Sequence, residues 1–180
     1  MCEHDQLAFW TKLLNVDGFQ VVHETLTAPD EPRHFTLIPK LAVGVCPHCG
    51  QGCDTIHRRY ESDRVCDLPL GTRAVELTVR SYQFWCDACE RAFTPPISFL
   101  VPGGHATERF LEYARRLIGF SDIANVATLL GVPENTLARW YYDYVERRQQ
   151  QPTVSPAQPI RQLGIDELSL KKSSVSSSPS

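Results

Sequence analysis

Two Cys-x-x-Cys pairs constrain the fold of this chain more than any other feature of its sequence. The pairs, with the glycine that follows the first, are Cys46 and Cys49, Gly50, and Cys86 and Cys89. Each pair presents two thiolates to one side of a tetrahedron, which suits a structural zinc ion, and the glycine allows a tight turn behind the metal. We therefore predict a zinc ribbon over residues 46–101, with the 36 residues between the pairs (50–85) as a long insertion.

Two disulfides are the alternative for the same four cysteines. No apolar signal segment precedes the first pair, so we expect a cytoplasmic chain, in which thiols stay reduced and zinc is favoured. Cys2, Cys53 and Cys66 are then predicted to be inert thiols. His48 and His57 are less favoured as ligands, because four thiolates already complete a closed site.

The insertion alternates in the way that a β-strand does. One predicted face carries Val75, Leu77 and Val79, and the other carries Glu76, Thr78 and Arg80. This period of two predicts that the two arms between the cysteine pairs are paired strands with one buried face.

Residues 1–45 are predicted to be a small lead-in that packs on the zinc module. Apolar side chains recur at helical spacing over residues 5–14, and Gly18 ends that helix. Residues 19–26 and 33–39 have strand patterns that an acidic, proline-containing turn separates. We find no candidate chemistry in this segment.

The charge of the chain limits its partners. The net charge of −3 over 180 residues is not that of a protein that coats nucleic acid. No segment is strongly basic, so any DNA binding depends on individual arginines. No window approaches the roughly 18 apolar residues of a membrane span, so we expect no membrane partner.

A helical domain is predicted over residues 105–148. Thr107 is a suitable N-cap for a helix that runs to Ile118. Its inward residues are predicted to be Phe110, Leu111, Ala114, Leu117 and Ile118.

Two further helices follow, with the pattern of a helix-turn-helix. Ser121 or Asp122 begins a helix that ends at Leu130, Gly131 takes the sharp turn, and the next helix begins at Pro133 and Glu134. The small Ala127 allows a close crossing, and Val132 and Leu137 are expected to fill the space between the helices. A plain helical hairpin remains the alternative.

The second of these helices carries the candidate DNA contacts. Asn135 and Arg139 can read base edges in the major groove, and Thr136 can bind a phosphate. We predict that Arg147 and Arg148 are only solvent-exposed charges at the end of the helix, where they suit the helix dipole. The tyrosines Tyr141, Tyr142 and Tyr144 are expected to pack rather than to stack on bases.

The C-terminal part changes character twice. Residues 149–162 are a proline-containing linker by composition, and the serine-rich residues 173–180 are predicted to be a disordered tail. Between them, residues 163–172 resemble the first strand of a further domain. The spacing alone favours a surface strand end for Asp166, and a ligand for a divalent metal pair is the alternative.

Several short motifs together resemble the zinc-binding region of the ISL-three group of bacterial insertion-sequence transposases. They are Cys46-Pro47-His48-Cys49-Gly50, His57-Arg58-Arg59, Asp67-Leu68-Pro69-Leu70, Phe84-Trp85-Cys86-Asp87-Ala88-Cys89 and Arg91-Ala92-Phe93. The helix-turn-helix and the run Gly164-Ile165-Asp166-Glu167-Leu168-Ser169-Leu170-Lys171-Lys172 follow in that family's order. The resemblance covers about residues 5–172.

The resemblance implies a DNA-transposition function in which Asp166 matches the first residue of an Asp-Asp-Glu triad that holds two magnesium ions. The family pattern continues after Lys172 with a Gly-His pair and a ribonuclease-H-like catalytic domain, whereas a serine tail follows here. We therefore expect a truncated form that binds terminal inverted repeats in double-stranded DNA and does not cut or join DNA alone.

The complete expectation is an α+β chain that comprises the lead-in, a zinc ribbon with structural zinc, a helix-turn-helix domain and a disordered tail. It would be located in the bacterial cytoplasm with the nucleoid, and it would associate with itself or with a full-length transposase. The alternative function is that of a zinc-ribbon and helix-turn-helix transcriptional regulator, or of a transposition inhibitor.

Overall fold

The computed structural model describes residues 3–150 except Leu26, Asp30 and Gly104. This part of the chain contains four helices and seven strands, which confirms a mixed architecture of helices and sheet. The elements are α1 (Glu3–Leu14), β1 (Phe19–Thr25), β2 (Arg33–Pro39), β3 (Gly44–Val45), β4 (Gly52–Cys53), β5 (Ile56–Leu70), β6 (Arg73–Cys86), β7 (Arg91–Phe93), α2 (Glu108–Ile118), α3 (Ile123–Leu130) and α4 (Glu134–Gln150).

The central sheet joins the N-terminal segment to the long hairpin. Its strand order is β1-β2-β6-β5, and β7 also pairs with β6. The strands β5 and β6 pair, as the alternation predicts, and they are antiparallel, whereas β2 runs parallel to β6 with Phe35 opposite Leu77. The predicted N-terminal lead-in and the predicted ribbon insertion therefore lie side by side in one sheet.

The predicted faces of β6 are confirmed. Val75, Leu77 and Val79 are each at most 2% exposed, and they form one apolar core with the inner face of α1 and β2. Within this core the ring of Trp10 lies 5.1 Å from the ring of Phe35. Burial of these side chains is what fixes the strand register, because a shift of one residue would turn every apolar side chain outward.

The helices α2, α3 and α4 share a second core. Its buried members include Phe110, Leu111, Ala114, Val126, Ala127, Leu130, Val132, Leu137 and Tyr144. Leu117 and Ile118, predicted to face inward, are partly buried against this cluster. The predicted N-cap is confirmed, since the hydroxyl of Thr107 accepts a hydrogen bond from the Phe110 N–H at 3.2 Å.

A third, smaller core lies at the far end of the hairpin. It consists of Cys46, Cys53, Phe84, Cys86 and Phe93. This cluster supports the cysteine pairs.

The predicted linker begins later than expected. Residues 149 and 150 belong to the last turn of α4, because glutamine is a good helix former and nothing there interrupts the helix. The rest of the linker, the strand predicted at 163–172 with Asp166, and the predicted tail lie outside the described residues. None of the helices in the described part combines the length and the apolar character that crossing a membrane requires.

Candidate functional site

The four cysteines of the two Cys-x-x-Cys pairs meet in space. The sulfur atoms of Cys46 and Cys89 lie 3.9 Å apart, and those of Cys49 and Cys86 lie 3.6 Å apart. All four sulfur atoms lie within 4.8 Å of one another. A tetrahedral ion with metal–sulfur bonds of 2.3 Å separates its ligands by about 3.8 Å, so the cluster has the size of a four-thiolate metal site. The four cysteines can therefore hold a metal ion.

Local backbone structure presents the first pair of thiols. The Cys46 N–H donates to the carbonyl oxygen of Gln51 at 2.8 Å, and the Gly50 N–H donates to the carbonyl oxygen of Cys46 at 2.9 Å. Gly50 has a φ of +74°, which only glycine adopts at little cost. The turn between β3 and β4 is thus closed on itself, and both sulfur atoms project from one side of it.

The second pair lies in the turn between β6 and β7. Cys86 is the last residue of β6 and is opposite Arg91 in β7. The rings of Phe84 and Phe93, 6.0 Å apart, fill the space beneath the cluster. This packing buries Cys86 completely, while Cys49 remains exposed and Cys89 is half-buried.

The thiols differ in how readily they lose a proton. Burial raises the pKa of the Cys46 thiol, but hydrogen bonds from the backbone N–H groups of His48 and Cys49 outweigh this effect and bring its pKa to about 7. A hydrogen bond with Cys49 and burial raise the pKa of Cys89 to about 12. A metal ion must displace the remaining thiol protons, so its binding releases protons and weakens as the pH falls.

The other cysteines and histidines are not among the four clustered ligands. The Cys53 thiol contacts the carbonyl oxygen of Gln51 at 3.6 Å, and burial raises its pKa to about 11. Burial also raises the pKa of Cys66, in β5, to about 11. His48 and His57 are exposed, and the ligand cluster in the described part of the chain includes neither. Cys2 lies outside the described residues.

The helices α3 and α4 are joined by a sharp turn at the predicted residue. Asp122 caps α3 by accepting a hydrogen bond from the Asn125 N–H at 2.8 Å. Gly131 has a φ of +67°, and the next N–H, that of Val132, donates to the carbonyl oxygen of Ala127 at 3.0 Å. The predicted positions of the cap and of the turn are confirmed.

The space between these helices is filled as predicted. Leu137 is fully buried and Val132 is 8% exposed, while Ala127 lies at the crossing with 2% exposure. The outer side of α4 is different, because Asn135 and Arg139 are exposed and Thr136 is half-buried. The structure thus brings the three candidate DNA contacts together on the first two turns of one helix.

Two other groups on α4 make contacts that bear on their predicted roles. Tyr144 is buried as expected, whereas Tyr142 is 62% exposed and its ring packs against that of Tyr141, with 5.5 Å between the ring centres. Tyr142 follows Asn135 and Arg139 at helical spacing and extends their stripe. Arg147 and Arg148 are not merely solvated, in contrast to the prediction, because each forms an ion pair with α2. Arg147 lies 3.2 Å from Glu108, and Arg148 lies 3.6 Å from Glu112.

Asp166, the candidate ligand for magnesium, lies outside the described residues. A scan against protein-family models and searches of curated proteins and of solved structures found no match for this chain.

Proposed function

We propose that this chain is the DNA-recognition part of a transposase of the ISL-three group, in which α4 binds double-stranded DNA at the ends of the element. The observation that carries the proposal is the two-sided character of α4. Its inner face is buried against α2 and α3, while its first two turns present Asn135 and Arg139 to solvent.

The helix arrangement supports this proposal. A short helix, a glycine turn and a longer helix, with a third helix packed across both, leave the N-terminal half of the longer helix free to enter a major groove. Here α3, Gly131 and α4 supply these parts, and α2 packs against both helices. A plain helical hairpin has no need of asparagine and arginine on the exposed first two turns of its second helix.

The side chains suit base recognition. An asparagine side chain can both donate to and accept from adenine, and an arginine can donate twice to guanine, in the major groove. The hydroxyl of Thr136 can donate to a phosphate oxygen, which fixes the register of the helix on the duplex.

The ion pairs of the helical unit single out Arg139. Arg115, Arg116 and Arg148 all contact the carboxylate of Glu112. Arg139 has no acidic partner among the residues that the structure describes. An arginine without a partner does not have to break an ion pair before it binds DNA, so Arg139 is the best candidate on α4.

We assign zinc to the four-cysteine site. Sulfur separations of 3.6 and 3.9 Å match the spacing that zinc imposes on four thiolates, and a closed set of four ligands is typical of structural zinc. Bound zinc would supply a cross-link between the β3–β4 turn and the β6–β7 turn. Magnesium would belong to the complete catalytic domain of the family.

The test is a binding experiment with one exchanged arginine on each side of the helical unit. Duplexes are first selected from a random library by the zinc-loaded chain, and their affinity is then measured by fluorescence anisotropy. Arg139→Ala should weaken binding by about 1–3 kcal/mol, roughly 5- to 150-fold, and relax the preference at one base pair. Arg116→Ala is the control, because it removes an exposed arginine from α2 and leaves α4 unchanged, and this variant should bind DNA nearly as the unchanged chain does.

The same experiment can refute the proposal. If no sequence is enriched from the library, or if the two variants lose affinity equally, α4 does not read DNA. Circular dichroism of both variants shows whether a loss of affinity reflects a loss of fold.

A further inference from the structure

Three apolar side chains protrude from one short segment beside the metal site. Leu41, Val43 and Val45 are 76%, 55% and 66% exposed. Single exposed apolar residues are common on soluble proteins, but several together beside a groove indicate an interaction surface.

Gly44 explains why these side chains point outward. A Cβ atom at Gly44 would lie 2.6 Å from Cδ2 of Phe84 and 3.0 Å from Cγ of Pro95, so the backbone of the segment lies directly against the core. The neighbours of the buried glycine in this extended segment consequently face solvent. Their exposure follows from the packing of the chain and is not a feature of a loose loop.

An apolar groove lies next to this protruding segment. Its volume is about 420 Å³, and Leu41 and Val43 form part of its wall. The rest of the apolar lining includes Phe19, Pro39, Tyr82, Phe84, Pro95 and Ile97. One patch of the surface therefore offers both apolar side chains that protrude and an apolar groove that can receive such side chains.

Two opposite charges border the groove. Asp17 and Lys40 both line it, both are exposed, and neither has an ion-pair partner among the residues that the structure describes. The Lys40 N–H donates to the carbonyl oxygen of Gly18 at 2.9 Å, which holds the two charged residues on the same rim. If Asp17 of one copy faces Lys40 of a second copy, a two-fold axis repeats the same pair in reverse, so the interface would contain two such ion pairs.

We propose that this patch binds a second copy of the chain and forms a two-fold symmetric dimer. In this dimer Leu41 and Val43 of each copy lie in the groove of the other, and two reciprocal ion pairs between Asp17 and Lys40 border the apolar contact. The patch is self-complementary in shape and in charge, which a two-fold interface requires. The dimer does not depend on the proposed DNA-binding function.

Charge exchange tests the arrangement. The mass of the full zinc-loaded chain is measured by sedimentation velocity over a range of concentrations, and the chain should dimerise in the micromolar range. Asp17→Lys and Lys40→Asp each place like charges opposite one another, which should raise the dissociation constant of the dimer at least about tenfold. The double variant restores opposite charges and should dimerise as the unchanged chain does.

Apolar variants test the groove contact. Leu41→Glu should give a monomer, because it would place a charge in the partner's groove, while its own exposed position leaves the fold intact. Phe120→Glu is the matched control, since Phe120 is 93% exposed and is not part of the groove. It should leave the dimer unchanged.

Several results would overturn the proposal. One is a chain that stays monomeric at the highest soluble concentration, and another is a dimer that Leu41→Glu does not weaken. Failure of the double exchange to restore dimerisation would exclude the two-fold pairing. If the chain is monomeric and Leu41→Glu instead makes residues 151–180 more sensitive to protease, the groove holds the chain's own C-terminal segment.

Discussion

Arg109 of α2 donates hydrogen bonds to both carboxylate oxygens of Asp67 in β5, and the distance from its Nε to Oδ1 of Asp67 is 2.7 Å. The same guanidinium also donates to the carbonyl oxygen of Leu14 at the end of α1, and the hydroxyl of Thr107 donates to Asp67 at 2.8 Å. Asp67 is only 2% exposed. One ion pair therefore joins the sheet, the N-terminal helix and the first helix of the helical unit.

Asp67→Asn should destabilise the chain by about 3 kcal/mol, because it leaves a partly buried guanidinium without its counter-charge. The matched control is Glu61→Gln, which breaks the exposed pair of Arg80 and Glu61, 2.6 Å apart, and should cost less than about 1 kcal/mol. Urea unfolding of both variants measures the two losses. Equal losses would mean that the buried junction contributes no more than a surface ion pair.

The metal site gives a prediction with a control inside the same core. If the proposed zinc ion occupies the site, Cys46→Ser should lose it, because this change removes one of four ligands, whereas Cys53→Ser should retain one ion per chain. Both cysteines are buried in the small apolar core that also contains Phe84 and Phe93, so the two variants lose similar packing. Zinc is measured by emission spectrometry after dialysis, and cobalt substitution reports the thiolate ligands. Loss of metal from both variants would place Cys53 among the ligands.

Two glycines should respond to alanine for different reasons. At Gly131 nothing lies within 4 Å of an added Cβ atom, so Gly131→Ala carries only the cost of a left-handed backbone, about 1–2 kcal/mol. Gly131→Asn should recover part of that loss, since asparagine tolerates this conformation. Thermal unfolding of the two variants provides the comparison. A loss that asparagine does not reduce would contradict the backbone explanation.

At Gly44 the cause is steric, because an added Cβ atom would overlap the ring of Phe84. Gly44→Ala should therefore displace the ring beneath the cysteines and weaken zinc binding, which competition with a chelator measures. Gly52→Ala is a suitable control, since the nearest atom to its added Cβ lies 4.0 Å away. Equal zinc affinity in both variants would show that the Phe84 ring can move without disturbing the four-cysteine site.

Glu112 should make the stability of the helical unit depend on acid pH. Hydrogen bonds from Arg115 and from the Tyr144 hydroxyl hold its pKa near 2, below the ordinary value of 4.5. A carboxylate with a lowered pKa stabilises the fold fully above its ordinary pKa, and this contribution is lost as the pH falls from about 4.5 to about 2.

Glu112→Gln should therefore lower the free energy of unfolding at pH 6 and flatten its decrease between pH 4.5 and pH 2. Glu134→Gln is a control on an exposed glutamate at the start of α4, outside this arginine cluster. Urea unfolding at a series of pH values measures both effects. An unchanged acid dependence in Glu112→Gln would show that other carboxylates cause the acid lability.

Local features of this chain could be predicted from sequence because their causes lie within a few residues. Thr107 and Asp122 cap helices through their own side chains, and Gly131 occupies a conformation that other residues avoid. The spacing of the cysteine pairs was likewise enough to predict which four thiols meet.

The missed features depend on residues far apart in sequence. Nothing local to β2 indicates that it pairs in parallel with β6, and from the sequence Asp67 is only one residue of a family motif. Its partner Arg109 is 42 residues away, so the ion pair exists only once the sheet and α2 have met. The sequence offers only a weak signal, an acidic residue within a strand that has apolar neighbours, because its burial becomes apparent only in the fold.

The parallel pairing of β2 with β6 also affects how the chain is made. Leu37 pairs with Val79, 42 residues later, so β2 leaves the ribosome 42 residues before its partner does. At typical translation rates of about 5–20 residues per second, the edge of β2 that pairs with β6 therefore stays unpaired for roughly 2–8 seconds. During that interval the nascent chain exposes unpaired backbone groups and apolar side chains of β2, which a chaperone or a second nascent chain can bind.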